Sequence, residues 1–216
     1  MSELNNSEVD YHSIFKHYEA CLDKHGNTAL GVDWPNIEDL KTRFDVMLDV
    51  KRGSYPAKVL DFGCGIGLLY DHIIESKQKG VSYIGLDISP KFIEASKCRH
   101  PDTQFYCVDI LKDTFSEEFD YAICNGTFTE KLNLSFDDMF DFFSSAITKL
   151  FEKAKVGIAF NVMSSHVDYE RDDLFHLPHD TLADFIITNL SRNYIIRNDY
   201  GLYEYTAYVY KESYGR

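Results

Sequence analysis

Residues 59–69 read VLDFGCGIGLL, and this stretch decides the fold. Its apolar start, interrupted only by Asp61, is typical of a buried strand, and the pattern from Ile66 onward is typical of a helix. Three glycines on alternate positions lie between the two: Gly63, Gly65 and Gly67. Because glycine has no Cβ, the backbone can turn sharply here and bring its N–H groups close to a ligand. The stretch therefore predicts a strand, a tight turn and a helix.

The chain after this turn alternates between strand and helix patterns. Strands are predicted at residues 81–88, 103–108, 119–125 and 156–163, and helices at residues 90–98, 136–151 and 180–191. Two further strands, residues 194–198 and 203–210, predict a terminal hairpin. Such alternation predicts an α/β fold with a Rossmann-like, doubly wound sheet that is mostly parallel and ends in an antiparallel hairpin strand.

Two amphipathic helices are predicted before the glycine turn, at residues 7–24 and 37–49. The segment from Leu30 to Asn36 between them, which holds the single tryptophan, reads as a loop. We therefore expect residues 1–52 to form a helical cap on the cofactor edge of the sheet. Residues 53–216 then form the Rossmann-like domain, and the two parts make one structural unit.

The composition narrows the class of protein. The chain has 216 residues, of which 44% are hydrophobic and 26% charged, as in soluble globular domains. No apolar run approaches the roughly 18 residues of a membrane helix, and the N-terminus lacks a secretion signal. The five cysteines are odd in number and dispersed, with no CxxC pair, which predicts reduced thiols rather than disulfides or a zinc site. We expect a cytoplasmic protein with no membrane partner.

The net charge argues against one class of partner. The formal charge is −13, with 35 acidic residues against 22 lysines and arginines. A net negative charge of this size repels the phosphate backbone of a nucleic acid, so nucleic acid is not an expected partner. A small anionic substrate stays possible, because a local pocket can differ from the net field.

An acid stands at the end of each of the first three predicted strands of the sheet: Asp61, Asp87 and Asp109. Asp87 lies 20 residues after Gly67, the separation at which an acid reaches the hydroxyl groups of a ribose. The G-x-G-x-G spacing differs from the G-x-G-x-x-G of dinucleotide sites. The edge suits a ligand that carries an amine, a ribose and an adenine but no phosphate, which describes S-adenosylmethionine.

Taken together, the glycine turn and these acids resemble the class I S-adenosylmethionine-dependent methyltransferases over about residues 57–210. The resemblance implies the following cofactor contacts: Gly63, Gly65 and Asp61 on the methionine part, Asp87 on the ribose, Asp109 on the adenine amine, Ile88 and Ile110 on the adenine ring, and Asn125 with Gly126 at the methyl-transfer end. Related enzymes close an N-terminal helix over the cofactor, which makes Tyr11, Tyr18 and Trp34 candidate cover residues, with core packing as the alternative. Arg43, polar in an apolar helix pattern, is a candidate for the cofactor carboxylate.

Segments before and after the glycine turn and its acids resemble small methyltransferases of surface-polysaccharide and sugar-nucleotide pathways. Residues 17–26, 31–34, 167–170 and 199–204 carry this likeness. It implies a small polar acceptor, such as a sugar nucleotide, methylated at oxygen or nitrogen. Two alternatives stay open: aminopropyl transfer by an enzyme of the same fold, and a non-catalytic partner protein that binds S-adenosylmethionine.

The acceptor end of the site is less determined by the sequence. An alcohol acceptor needs a general base, and His166 with Asp168 follows the fifth strand, although a solvated loop is the alternative. An amine acceptor needs no base. Thr127, Phe128 and Tyr169 are the candidate acceptor-binding residues.

Two absences narrow the reaction further. Residues 125–128 lack the two prolines of amino-methylating DNA enzymes. The side chains at the ends of the fourth and fifth strands, Asn125, Asn161 and Asp168, make no convincing triad for magnesium. We therefore expect no metal.

Overall fold

Eight strands form one sheet in the part of the chain that the computed structural model describes, residues 11–215. The strands are β1 Ala57–Phe62, β2 Val81–Asp87, β3 Gln104–Cys107, β4 Tyr121–Cys124, β5 Gly157–Ser164, β6 His176–Leu177, β7 Asn193–Arg197 and β8 Glu204–Tyr210. The helices are α1 His12–His25, α2 Ile37–Leu48, α3 Leu68–Glu75, α4 Pro90–Arg99, α5 Phe136–Lys153 and α6 His179–Asn189, with a 3-10 turn at Ala29–Val32.

The sheet has the order β3-β2-β1-β4-β5-β8-β7, and β6 pairs with the end of β5. Strands β1 to β6 pair in parallel, whereas β8 runs antiparallel to both β5 and β7. The predicted fold class, a mostly parallel Rossmann-like sheet with an antiparallel hairpin, is therefore confirmed. The direction of winding reverses between β1 and β4, which in such sheets is where ligands bind.

Local sequence signals explain most helix boundaries. The side chain of Asn36 accepts hydrogen bonds from two backbone N–H groups at the start of α2. Ser89 and Ser135 each accept from one backbone N–H group at the starts of α4 and α5. Helix α3 begins at Leu68 rather than at Ile66, because Gly67 adopts a left-handed φ of 79°. The 3-10 turn and the short β6 were not predicted, because neither has a hydrophobic period long enough to detect.

Each face of the sheet packs against its own apolar core. Leu60 and Phe62 of β1 point into one core with α5 and α6, while Val59 points into the other with α2 and α3. Helix α1 contributes one fully packed residue, Ile14, to the first core. Helix α2 is integral to the second core, where its Phe44 and Met47 are buried.

The predicted first helix is described only from residue 11 onward, so its predicted start at residues 7–10 lies outside the described residues. Among the described helices, none combines the length and the apolar character needed to span a bilayer.

Candidate functional site

A cavity lies at the carboxyl ends of β1, β2 and β4, where the winding of the sheet reverses. Its wall is formed by the glycine turn, the loops after β2, β3 and β4, and the N-terminal segment that covers them. The lining residues are Tyr11, Ile14, Phe15, Tyr18, Val32, Trp34, Phe44, Asp61, Phe62, Gly63, Cys64, Gly65, Ile66, Leu68, Leu69, Asp87, Ile88, Phe92, Val108, Asp109, Ile110, Asn125, Gly126, Thr127 and Phe142.

The glycine turn needs glycine for two reasons. Gly63, Gly65 and Gly67 all have positive φ values, of 74°, 52° and 79°, where other residues are strained. A Cβ on Gly63 would also lie 2.5 Å from Oγ1 of Thr127, and one on Gly65 would lie 2.9 Å from Val32. The bare backbone of the turn therefore forms part of the cavity wall.

Asp87 is buried at the end of β2 and faces the cavity. Its Oδ2 accepts a hydrogen bond from the Gly65 N–H at 2.9 Å, and its Oδ1 accepts from the Ser89 N–H at 2.9 Å. Burial raises the pKa of Asp87 to about 6, although these backbone hydrogen bonds act in the opposite direction. Each carboxylate oxygen has a second lone pair, so Asp87 can still accept from a ligand hydroxyl.

Asp61 is a second buried carboxyl group in the cavity wall. Its Oδ2 accepts a hydrogen bond from the Tyr83 hydroxyl at 2.8 Å. Burial raises the pKa of Asp61 to about 7, the Tyr83 hydrogen bond lowers it, and the charge of Asp87 raises it further. Among the described residues, no cationic side chain pairs with Asp61, so a cationic ligand group would stabilise its ionised form.

Asp109 follows β3 and is tied to the N-terminal cap. Its Oδ2 accepts a hydrogen bond from the Tyr11 hydroxyl at 2.6 Å, and its Oδ1 accepts from the Leu111 N–H at 3.0 Å. The Tyr11 ring stacks on Phe142 of α5, with 4.7 Å between the ring centroids. Ile88 and Ile110 line the same part of the cavity as Asp109. This part of the cavity therefore places the Asp109 carboxylate beside apolar side chains.

The loop after β4 forms the inner end of the cavity. Oδ1 of Asn125 is buried and has no hydrogen-bond partner among the described residues. Gly126 has a φ of 74°, and a Cβ there would lie 2.4 Å from the Trp34 ring. The Gly126 N–H donates to Oδ1 of Asn161 at 2.8 Å. An unpaired acceptor at a cavity wall is a candidate contact for a ligand donor.

The Arg43 side chain does not lie where the sequence analysis predicted it. Its Nε donates to Oε2 of Glu204 at 2.8 Å, and its guanidinium lies 4.5 Å from the centroid of the Trp34 ring. Arg43 does not line the cavity. The buried carboxylate of Glu204 is therefore its partner, which corrects the expectation that Arg43 reaches the cofactor carboxylate.

Four predicted acceptor-end residues lie away from the cavity. His166 and Asp168 are exposed on the loop after β5, where His166 packs beside His179 with 5.2 Å between ring centroids. Tyr169 is 76% exposed, whereas Phe128 is fully buried in the core against Phe62. The loop turns away from the cavity after Ser164, because β6 pairs with the end of β5. Of the predicted acceptor residues, Thr127 lines the cavity, and its Oγ1 donates to the Phe62 carbonyl at 2.9 Å.

The cover of the cavity is richer in apolar residues than the sequence indicated. Tyr18 and Trp34, predicted as cover residues, line the cavity, and Phe15, Val32, Phe44 and Phe142 join them. The spacing of Phe15 and Phe44 on amphipathic helices showed that they are inward-facing. It did not distinguish a cavity wall from the core.

The comparisons with known proteins agree with this geometry. Residues 60–150 match a family model described as a methyltransferase domain. A curated protein of Mycobacterium tuberculosis, "Putative methyltransferase Rv1506c", is 28% identical over 163 residues, covering 73% of this chain and 95% of the relative.

Two solved structures show the same fold at low identity. One is the magnesium protoporphyrin IX methyltransferase of Synechocystis PCC 6803 with bound SAM, with a TM-score of 0.61, 14% identity, and coverage of 96% of this chain and 100% of that one. The other is human N-acetylserotonin methyltransferase in complex with SAM, with a TM-score of 0.65, 14% identity, and coverage of 96% and 60%.

These comparisons support an S-adenosylmethionine-dependent methyltransferase. The match to the family model covers the end of β1, the glycine turn, Asp87 and Asp109, so it falls on the residues that build most of the cavity wall.

Proposed function

We propose that the cavity binds S-adenosylmethionine and that the enzyme methylates a small polar acceptor at its inner end, near Asn125. The observation that carries the proposal is the convergence of the glycine turn, Asp87 and Asp109 on one cavity. When bound, the cofactor supplies an electrophilic methyl group on a positively charged sulfur.

The residues that line the cavity fit the successive parts of this cofactor, from its ammonium group to its adenine. Asp61 offers a buried carboxylate for the ammonium, and the bare backbone of the glycine turn lies next to it. Asp87 offers acceptor lone pairs for the ribose hydroxyls. Asp109 offers an acceptor for the adenine amine between the apolar side chains of Ile88 and Ile110. Burial of these groups excludes water and orients the ligand before reaction.

The size of the acceptor follows from the cover. Trp34 lies directly over Gly126, and Val32 lies over Gly65, so the N-terminal segment closes the cavity from above. A cavity that is partly covered in this way supports a small acceptor rather than a polymer that needs an open groove. The net charge of −13 also disfavours nucleic acid. By its resemblance to enzymes of sugar-nucleotide pathways, we propose a sugar nucleotide or a related metabolite.

The reacting atom is constrained by the side chains at the inner end. No histidine is among the described residues that line the cavity. Burial, and then the charges of Glu130 and Asp33, raise the pKa of Tyr18 well above its usual range, so its phenol stays neutral. Tyr18 and Asn125 can thus orient an acceptor by hydrogen bonds but do not accept its proton near neutral pH. This supports an acceptor that needs no protein base, such as an amine.

Cofactor binding tests the first half of the proposal. We expect Asp87→Asn to weaken S-adenosylmethionine binding about 10- to 100-fold in calorimetry, because hydrogen bonds to charged groups contribute about 1.5–3 kcal/mol. Asp102→Asn, at an exposed position outside the cavity, is the matched control and should bind like the wild type. Absence of binding by the wild type, or equal affinity of Asp87→Asn, contradicts the assignment.

Acceptor assays test the second half. Pairs of sugar nucleotides that differ only in an amino or hydroxyl group are incubated with the wild type, and S-adenosylhomocysteine is measured. We expect product only with the amino member of a pair. Product with hydroxyl members alone would contradict the amine assignment. Cofactor binding without product for any sugar nucleotide would contradict the acceptor class and leave the cofactor site intact.

A further inference from the structure

Three metal-binding side chains converge in the N-terminal cap beside the loop after β4, and Glu130 of that loop lies next to one of them, His17. His17 and Cys21 lie one turn apart on α1, Asp33 follows the 3-10 turn, and Glu130 follows β4. Nε2 of His17 lies 3.2 Å from Oδ2 of Asp33, 3.5 Å from Oε2 of Glu130 and 3.9 Å from Sγ of Cys21. The donor atoms of His17, Cys21 and Asp33 all lie within 4.8 Å of one another.

These separations match those between the ligands of one tetrahedral metal ion. Zinc binds imidazole nitrogen at about 2.0 Å, carboxylate oxygen at about 2.0 Å and thiolate sulfur at about 2.3 Å. Tetrahedral angles then place nitrogen and oxygen ligands about 3.3 Å apart, and nitrogen and sulfur ligands about 3.6 Å apart. The distances from Nε2 of His17 to Asp33 and to Cys21 lie within a few tenths of an ångström of these values.

The protein alone does not satisfy these groups. Nε2 of His17 can carry one hydrogen at most, yet two carboxylates and a thiol surround it. Oε2 of Glu130 is buried and has no hydrogen-bond partner among the described residues. A divalent cation bound by His17, Cys21 and Asp33 would offset the repulsion between the carboxylates of Asp33 and Glu130.

We propose that His17, Cys21 and Asp33 bind a single divalent transition-metal ion, with zinc as the fitting example. The mixed nitrogen, sulfur and oxygen donors favour zinc over magnesium or calcium, which prefer oxygen alone. The donors are partly exposed, with 38% of the His17 side chain and 42% of the Asp33 side chain accessible, so an ion can enter.

The ion would fasten α1 to the segment that covers the cavity. Two of its ligands lie on α1, and the third, Asp33, immediately precedes the cavity residue Trp34. Glu130, on the loop that begins at the inner end of the cavity, lies beside the ligand His17. The sequence predicted no metal because the ligands come from separate segments, and only the fold brings Asp33 beside His17 and Cys21.

Metal binding by the purified full chain tests this proposal. After removal of bound metal with a chelator, zinc is titrated and its stoichiometry measured; cobalt is then substituted, because a thiolate ligand adds a charge-transfer band. We expect one equivalent of zinc, the thiolate–cobalt band, and a rise in melting temperature with zinc. Failure of the wild type to bind one equivalent overturns the proposal, whatever its methyltransferase activity.

Matched variants separate this site from adventitious binding. Cys21→Ser and His17→Ala should each lose the equivalent of zinc, and Cys21→Ser should lose the thiolate–cobalt band. Cys98→Ser and His25→Ala remove an exposed thiol and an exposed imidazole outside the cluster, and both should keep the zinc and the band. Circular dichroism confirms that each variant is folded. Retention of zinc by Cys21→Ser and His17→Ala, or its loss in Cys98→Ser, overturns the assignment.

Discussion

Asp61 shows how a single residue of the site can oppose folding. The carboxyl group is 4% exposed, and the Tyr83 hydroxyl is its hydrogen-bond donor. Its pKa of about 7 in the folded protein lies above the value of about 4 expected in an unfolded chain. The folded state therefore binds the proton more tightly than the unfolded state. The resulting stability is fully present below about pH 4 and is lost as the pH rises through about 7.

This linkage gives a prediction for Asp61→Asn. Asparagine keeps an oxygen acceptor for Tyr83 but never carries the buried charge. We expect the variant to gain melting temperature over the wild type at pH 8 and to gain much less at pH 5, in calorimetry without cofactor. Its affinity for S-adenosylmethionine should fall, because the ammonium loses its carboxylate. Asp102→Asn is the exposed control. An equal difference at both pH values would contradict the assigned titration.

At the scale of elements, a buried polar chain connects α2, β8, β5 and the turn after β4. The Arg43 guanidinium donates to Glu204, the Asn161 amide donates to Oε1 of Glu204 at 2.8 Å, and Oδ1 of Asn161 accepts from the Gly126 N–H. The side chain of Glu204 is 1% exposed, so its charge depends on Arg43. Burial raises the pKa of Glu204, and Arg43 lowers it. This chain supports the inner wall of the cavity from behind.

Removing Arg43 from this hydrogen-bonded network should destabilise the folded protein. We expect Arg43→Met to lower the free energy of unfolding by about 3 kcal/mol, because removing one member of a buried pair leaves an uncompensated charge. The double variant with Glu204→Gln should recover most of that loss. Lys41→Met, which removes an exposed ion pair on the same helix, should change it by less than about 1 kcal/mol. Urea unfolding measures all three. A double variant as unstable as the single one would show that charge burial is not the cause.

For the whole molecule, the two N-terminal helices have different roles. The Tyr208 hydroxyl donates to the Val46 carbonyl of α2, and the Tyr210 hydroxyl donates to the Val50 carbonyl at 3.1 Å, so β8 anchors α2 and the residues after it. Helix α1 instead covers the cavity with Ile14, Phe15 and Tyr18. Helix α2 is therefore mainly part of the core, although its Phe44 also lines the cavity, and helix α1 is mainly a cover, although its Ile14 also packs in the first core.

Two truncations test this division. A chain of residues 36–216 keeps α2, and we expect it to melt cooperatively but to bind S-adenosylmethionine weakly, because the cover is gone. A chain of residues 53–216 exposes the second core, and we expect no cooperative melting. Circular dichroism and calorimetry measure both properties. Cooperative melting of the shorter chain would show that α2 is dispensable, and wild-type cofactor affinity of residues 36–216 would show that α1 is not a cover.

Local patterns predicted most of the fold and several of the residues that line the cavity. The glycine turn lies between β1 and α3, and Asp61, Asp87 and Asp109 line one cavity, because acids at the ends of parallel strands meet at one edge. The acceptor side was predicted less well. His166 follows β5 as expected, but the pairing of β6 with β5 and the exposure of the loop place it outside the cavity.

The sequence by itself determined the alternation of strands and helices, the glycine turn and the cofactor class, because these depend on spacing within short segments. Only the tertiary structure decided which distant side chains meet. Arg43 pairs with Glu204 across 161 positions of sequence, and His17 reaches Glu130 across a cap and a loop. No local pattern encodes such contacts, since they depend on how helices pack against the sheet. The glycines of residues 59–69 indicate the cofactor class, and the packing around them shapes the cavity.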